Sequence, residues 1–219
     1  MVQGYHGGVT RRLLFFLFVL SLSACTAQPS GDTPGVFDYY VLSLSWSPQY
    51  CASNGGRRDA QCGGGREYGF VLHGLWPQFE RGFPGDCGAA PLSNQIVDRM
   101  LPIMPSAALI RHEWRKHGTC SGFEASKYFA KATAAFRGFV IPTGLKAPLK
   151  TIYVSPRKLK QELAAANPRH GGRGIAVLCS GRYLQEVRAC YTKDLQPREC
   201  GSGIRDTCRV DELIMRPVR

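Results

Sequence analysis

Nine cysteines in 219 residues constrain this chain more than any other feature. No two are spaced as CxxC, so they do not read as a zinc site. Their context points instead to disulfides. Residues 1–24 carry Arg11 and Arg12, then the apolar run LLFFLFVLSL at 13–22, then small residues. That is the pattern of a secretory signal peptide, and the run is short for a membrane span. An exported chain meets an oxidising compartment, where cysteines pair. Two routes to the mature N-terminus stay open. Leu22-Ser23-Ala24-Cys25 matches a lipobox, with lipid added to Cys25, while Cys25-Thr26-Ala27 fits ordinary cleavage after Ala27. Either route leaves eight cysteines: Cys51, Cys62, Cys87, Cys120, Cys179, Cys190, Cys200 and Cys208. Eight cysteines allow about a hundred pairings, so spacing alone does not fix the connectivity.

The rest of the chain suits one domain. Residues 25–36 are rich in Pro, Gly, Ser and Thr and read as a tether, so the domain runs over 37–219. Strands are expected at 38–46 (DYYVLSLSW) and 67–72, the second running into HGLWP. Residues 51–66 and 79–91 read as loops. Helices are expected at 92–100, 106–116, 123–137 and 155–166, capped by Ser93, Ser106 and Ser155 where a cap is visible. A hairpin over 174–179 and 183–191 turns at Ser180-Gly181-Arg182. Strands at both ends with helices between them give an α+β fold: a central antiparallel sheet with flanking helices, stapled by disulfides.

The formal charge is +12, and losing Arg11 and Arg12 with the signal leaves +10. Such an excess draws a soluble domain to polyanions, or simply solubilises it. Five histidines narrow the choice. His6 leaves with the signal, and His170, in the polar stretch NPRHGG, reads as a surface residue. His73, His112 and His117 remain, in FVLHGLWPQ and HEWRKHG. On a helix at about 100° per residue, with His112 at zero, Lys116 lies near 40°, Glu113 near 100° and His117 near 140°. All four share one face. A zinc-peptidase HExxH helix needs its second histidine at i+4, and Lys116 stands there. No metal site is expected.

Two imidazoles, a carboxylate and an ammonium on a basic protein suit RNA cleavage through the 2′-hydroxyl. One group takes the 2′-OH proton and another protonates the departing 5′-oxygen, and histidine does either near neutrality. A cation stabilises charge on the phosphoryl oxygens. The competing class is a non-catalytic RNA- or polyanion-binding lipoprotein on the same fold.

FVLHGLWPQ and HEWRKHGTC resemble the two active-site segments of the ribonuclease T2 family. SWSPQYC upstream, Cys87, Cys120 and the late cysteine quartet extend the likeness over roughly residues 39–208. The resemblance implies that His73 is the general acid and His117 the base. It makes His112 a phosphate-holding residue, and Glu113 and Lys116 transition-state stabilisers. Trp76 matches a tryptophan that stacks on a base; core packing is the equal alternative. Gln78 falls where some members use Asp or Asn to contact a base, which leaves selectivity open. The resemblance also implies the pairs Cys51–Cys62, Cys87–Cys120, Cys179–Cys208 and Cys190–Cys200. The expected protein is a monomeric endoribonuclease without cofactor. It cuts single-stranded RNA to 2′,3′-cyclic and then 3′-phosphate ends with low base specificity. Its place is the periplasm or the cell exterior, free or held to a membrane through lipid on Cys25.

Overall fold

The computed structural model describes residues 1–4, 33–53, 60–63 and 67–218. Cys25, the signal segment's apolar run and most of the tether lie outside these residues. No described helix is long and apolar enough to cross a membrane.

The sheet is built on β1 (Tyr39–Trp46), whose alternating side chains divide cleanly. Tyr40, Leu42, Leu44 and Trp46 enter the main core, and Tyr39 and Val41 face the other way. β1 pairs antiparallel with β2 (Phe70–Gln78) and with β5 (Tyr183–Tyr191). β4 (Ile175–Ser180) forms the expected hairpin with β5, turning at Gly181 with φ +58°. Two three-residue strands, β3 (Ile152–Val154) and β6 (Leu213–Met215), complete the order β2-β1-β5-β6-β3, with β4 branching from β5. One pairing, β5 with β6, is parallel; the others are antiparallel.

Helices cover the core face. α3 (Asn94–Met100), α4 (Ala107–Lys116) and α7 (Pro156–Ala166) start on Ser93, Ser106 and Ser155, whose hydroxyls accept from Ile96, Leu109 and Lys158 N–H. α5 (Ala125–Gly138) buries Tyr128, Phe129, Ala132 and Ala135 at helical spacing. The Tyr128 hydroxyl donates to Leu75 O at 3.0 Å and ties α5 to β2. α6 is one turn, Thr143–Lys146. The segment expected as a loop at 51–66 instead contains the end of α1 (Ser47–Ser53) and all of α2 (Ala60–Gly63), joined by Cys51–Cys62. The other bonds are Cys87–Cys120, Cys179–Cys208 and Cys190–Cys200, the pairs the family resemblance implies.

Two expectations need correction. β2 does not end at residue 72 but runs through HGLWPQ to Gln78. Pro77 is tolerated because β2 is a sheet edge, where a missing N–H costs little. His170 is not a surface residue: it is 6 % exposed, packed edge-on against Phe139 and Tyr191 with ring centroids 5.7 and 4.7 Å away. Its polar sequence neighbours concealed two aromatic partners distant in the chain.

Candidate active site

The site lies on the sheet face turned away from the main core. β2 reaches it through a bulge. Ser43 pairs with Gly74 and Leu44 with Leu72, so His73 is an extra residue with no partner across the ladder. Leu72 and Leu75 both enter the core, and the bulge leaves His73 and Trp76 together on the opposite face. Their rings meet edge-on at 5.1 Å.

α4 supplies the second wall. Trp114 anchors the helix in the core, its indole donating to Ala90 O at 2.7 Å. Glu113 is buried on the site side, where its carboxylate accepts from Trp76 Nε1 at 2.6 Å. The neighbouring position must be glycine: a Cβ on Gly74 would lie 2.2 Å from Glu113 Oε2 and 2.3 Å from Trp76 Nε1. His112 is exposed on the helix surface. The helix ends at Lys116, and His117 turns off as its C-cap with φ −124°. That turn sets the His117 ring against Trp76 at 5.3 Å and Phe83 at 6.0 Å. The bond Cys87–Cys120 and the contact Asp86 N–H to Lys116 O (2.9 Å) hold the loop after β2 to this helix end. Lys116 Nζ donates to Asp86 Oδ2 at 2.5 Å.

The two imidazoles sit in opposite electrostatic settings. His73 lies between two carboxylates: Nδ1 bonds Glu186 Oε2 at 3.2 Å, and Nε2 faces Glu113 Oε1 at 3.6 Å. Burial works against its positive charge, but the Glu186 hydrogen bond and the charges of Glu113 and Glu186 outweigh it and raise the pKa. Among the described residues, no carboxylate pairs with the His117 ring, whose Nδ1 is buried without a hydrogen-bond partner, and the more distant Asp86 charge raises its pKa only against larger effects. Burial, with the positive charges of His112, Lys116 and His73, brings its pKa down to about 3. Burial alone would lift Glu186, yet the His73 bond and the Arg188 charge hold it at about 2. Burial pushes Glu113 up to about 7, with His73 and the Trp76 bond pulling the other way.

His73, Glu113 and His117 thus converge around Trp76, with the Lys116 charge beside His117. The base-contact roles expected of Trp76 and Gln78 find little open surface here. Trp76 is 9 % exposed, and Gln78 is 6 % exposed with its amide donating to Pro77 O. Sequence reasoning missed Glu186 and Arg188. The Arg188 guanidinium bonds Glu186 and lies 4.9 Å above the Trp76 ring. Their signal was two charges alternating within the largely apolar strand 183–191. It also missed Asp86 and Phe83, both on the 79–91 loop; Phe83 is 56 % exposed beside His117. Among the described residues, no group of three or more His, Cys, Asp or Glu is placed to hold a metal ion.

Comparison with known proteins defines the class. The family model of the ribonuclease T2 family matches residues 37–200, and the chain belongs to that family. It is 35 % identical over 208 residues to a ribonuclease of Aeromonas hydrophila, covering 88 % of this chain and 91 % of that one. A probable ribonuclease of Haemophilus influenzae is 36 % identical over 183 residues; the match spans 75 % of this chain and 61 % of that protein. Among solved structures, ribonuclease MC1 from the seeds of bitter gourd superposes with a TM-score of 0.65 at 25 % identity, over 81 % of this chain and 99 % of the other.

Proposed function

We propose that this chain is an exported endoribonuclease that cleaves single-stranded RNA without a metal, with His117 as base and His73 as acid. The observation that carries the reading is the opposed electrostatic setting of two imidazoles that both pack against Trp76. His117, neutral through burial, can accept the 2′-hydroxyl proton. The 2′-oxygen then forms a bond to phosphorus as the bond to the 5′-oxygen breaks. His73, kept protonated by Glu186 and Glu113, delivers a proton to that leaving oxygen. The product is a 2′,3′-cyclic phosphate, which water opens to a 3′-phosphate with the two roles exchanged. Lys116 offers positive charge to the phosphoryl oxygens, His112 helps hold the scissile phosphate, and Glu113 holds both Trp76 and His73 in place. A non-catalytic binding protein has no use for two imidazoles driven to opposite protonation. A variant of ribonuclease MC1 in complex with 5′-UMP supports a nucleotide-binding role for this fold.

Four disulfides support export to an oxidising compartment, periplasmic or extracellular. Lipid on Cys25 would anchor the enzyme; a mature start at Gln28 would free it. Mass spectrometry of the mature N-terminus separates the two.

The activity test is RNA incubated with the purified protein in EDTA. Cleavage to cyclic phosphate ends is expected to persist. His73→Ala and His117→Ala are expected each to lose about 10²–10⁴-fold in rate with the fold intact. Binding without cutting, or full activity in either variant, overturns the mechanism.

A further inference from the structure

We propose that the sheet face bearing the active site continues into a second nucleotide subsite, a cavity of about 470 Å³ walled by Tyr68, Tyr153, Tyr183 and Arg216, which holds a more distant base of the bound RNA strand. The inference rests on the ribonuclease reading above.

Strand alternation places the cavity on the same side of the sheet as the site. Val154, Leu213, Met215 and Leu184 are in the main core and Ile152 packs against it. Tyr153, Ile214, Arg216 and Tyr183, their strand neighbours, therefore face the other way. On β1, Leu42, Leu44 and Trp46 enter the core, so Ser43 and Ser45 share the opposite face with His73 and Trp76. Ser45 pairs with both Val71 and Glu186, between the two regions. Ser47, two residues on, lines the cavity. From Ser43 to Trp46, the last residue of β1, is about 10 Å at the rise of a strand, and Ser47 follows directly, within reach of neighbouring nucleotides of one strand.

The lining has the chemistry for a base and its phosphate. Tyrosine rings offer π-faces on which any base stacks. Tyr153 is 59 % exposed, so core packing does not account for it. The Arg216 guanidinium is fixed 4.2 Å above the Tyr183 ring, and its Nε donates to Gln49 Oε1 at 2.8 Å. Its Nη groups donate to no protein acceptor among the described residues, which leaves a fork suited to a phosphate. Among the described residues, none that lines the cavity is Asp or Glu. The Cys51–Cys62 bond fixes one wall, so the cavity exists before RNA arrives.

The test compares a dinucleoside monophosphate, too short to span both regions, with a hexanucleotide. Tyr153→Ala and Tyr183→Ala are each expected to lower kcat/KM on the hexanucleotide at least about fivefold, mainly through KM. Cleavage of the dinucleoside monophosphate stays within about twofold, since its contacts are confined to the active site. Tyr153→Phe keeps a stacking ring and is expected to restore the hexanucleotide rate. Fluorescence anisotropy of a labelled hexanucleotide, in a His117→Ala background to prevent cutting, reads the same loss as weaker binding. Unchanged hexanucleotide binding in both alanine variants overturns the subsite, as does a parallel fall on both substrates. Failure of the ribonuclease reading looks different: wild-type protein cuts neither substrate, while the binding measurement still decides the subsite.

Discussion

Replacing Glu186 with Gln isolates the electrostatics of the proposed acid. Gln keeps the shape and can still accept from His73 Nδ1, but it removes the charge 3.2 Å from the ring. At an effective dielectric of about 20, two unit charges at that distance attract by roughly 5 kcal/mol. His73 is partly exposed and Glu186 is shared with Arg188, so only a fraction of this acts on the imidazolium. The change also leaves Arg188 uncompensated, and its charge disfavours a protonated His73. Both effects have one sign. A carboxylate in contact favours the charged form of its partner, so its loss lowers the His73 pKa. The raised pKa of His73 keeps the acid form present as pH rises; in Glu186→Gln that form is lost earlier. The alkaline limb of the kcat/KM profile is therefore expected to move to lower pH, while the rate at pH 5 changes little. NMR titration of the His73 ring should follow the same displacement. An alkaline limb that stays in place, with the His73 titration unmoved, would refute the assignment of His73 as an acid poised by Glu186.

Other perturbations have equally definite outcomes. Burial lowers the His170 pKa to about 4, below its ordinary 6.5, so the unfolded chain takes up a proton that the fold refuses. Stability is lost as pH falls from about 6.5 to about 4, by up to about 3 kcal/mol; His170→Phe should raise the urea midpoint at pH 4.5 much more than at pH 8. Opening Cys87–Cys120 in the Cys87→Ser, Cys120→Ser double variant releases a closed loop with sequence separation 33. About 4 kcal/mol should be lost, seen as a lower denaturant midpoint, and cleavage should fall as the loop leaves the end of α4. Gly74→Ala drives a methyl group into the Glu113–Trp76 hydrogen bond. It should cost about 1–3 kcal/mol by thermal denaturation and reduce kcat well before the fold fails.

The sequence disclosed most of this architecture wherever an element carries its own signal. β1, the β4–β5 hairpin, and α4 and α7 with their serine caps are set by local patterning, so they were readable. β3 and β6 have three residues each and exist only because β5 and each other are there to pair with. β2 reads short in the sequence because Gly74 and Pro77 look like strand breakers. One is needed for the approach of Glu113 and the other is permitted by an edge position. Helix geometry put His112, Glu113, Lys116 and His117 on one face, but gave no hint that Glu113 would be buried beneath Trp76. Glu186 comes from a strand 113 residues away from His73, a relation that only the sheet creates.

The bulge at His73 has a consequence for how such a protein loses its activity. Without that one residue, β2 would alternate regularly: Leu72 inward, Gly74 outward, Leu75 inward, Trp76 outward, facing the same partners on β1. The core places no demand on His73, so the proposed acid is an insertion into a strand that is complete without it. Most in-frame deletions inside a strand turn every following side chain to the wrong face. Here the deletion would preserve the packing and remove only the chemistry, leaving the distance between a nuclease and an inert RNA-binding relative one codon wide.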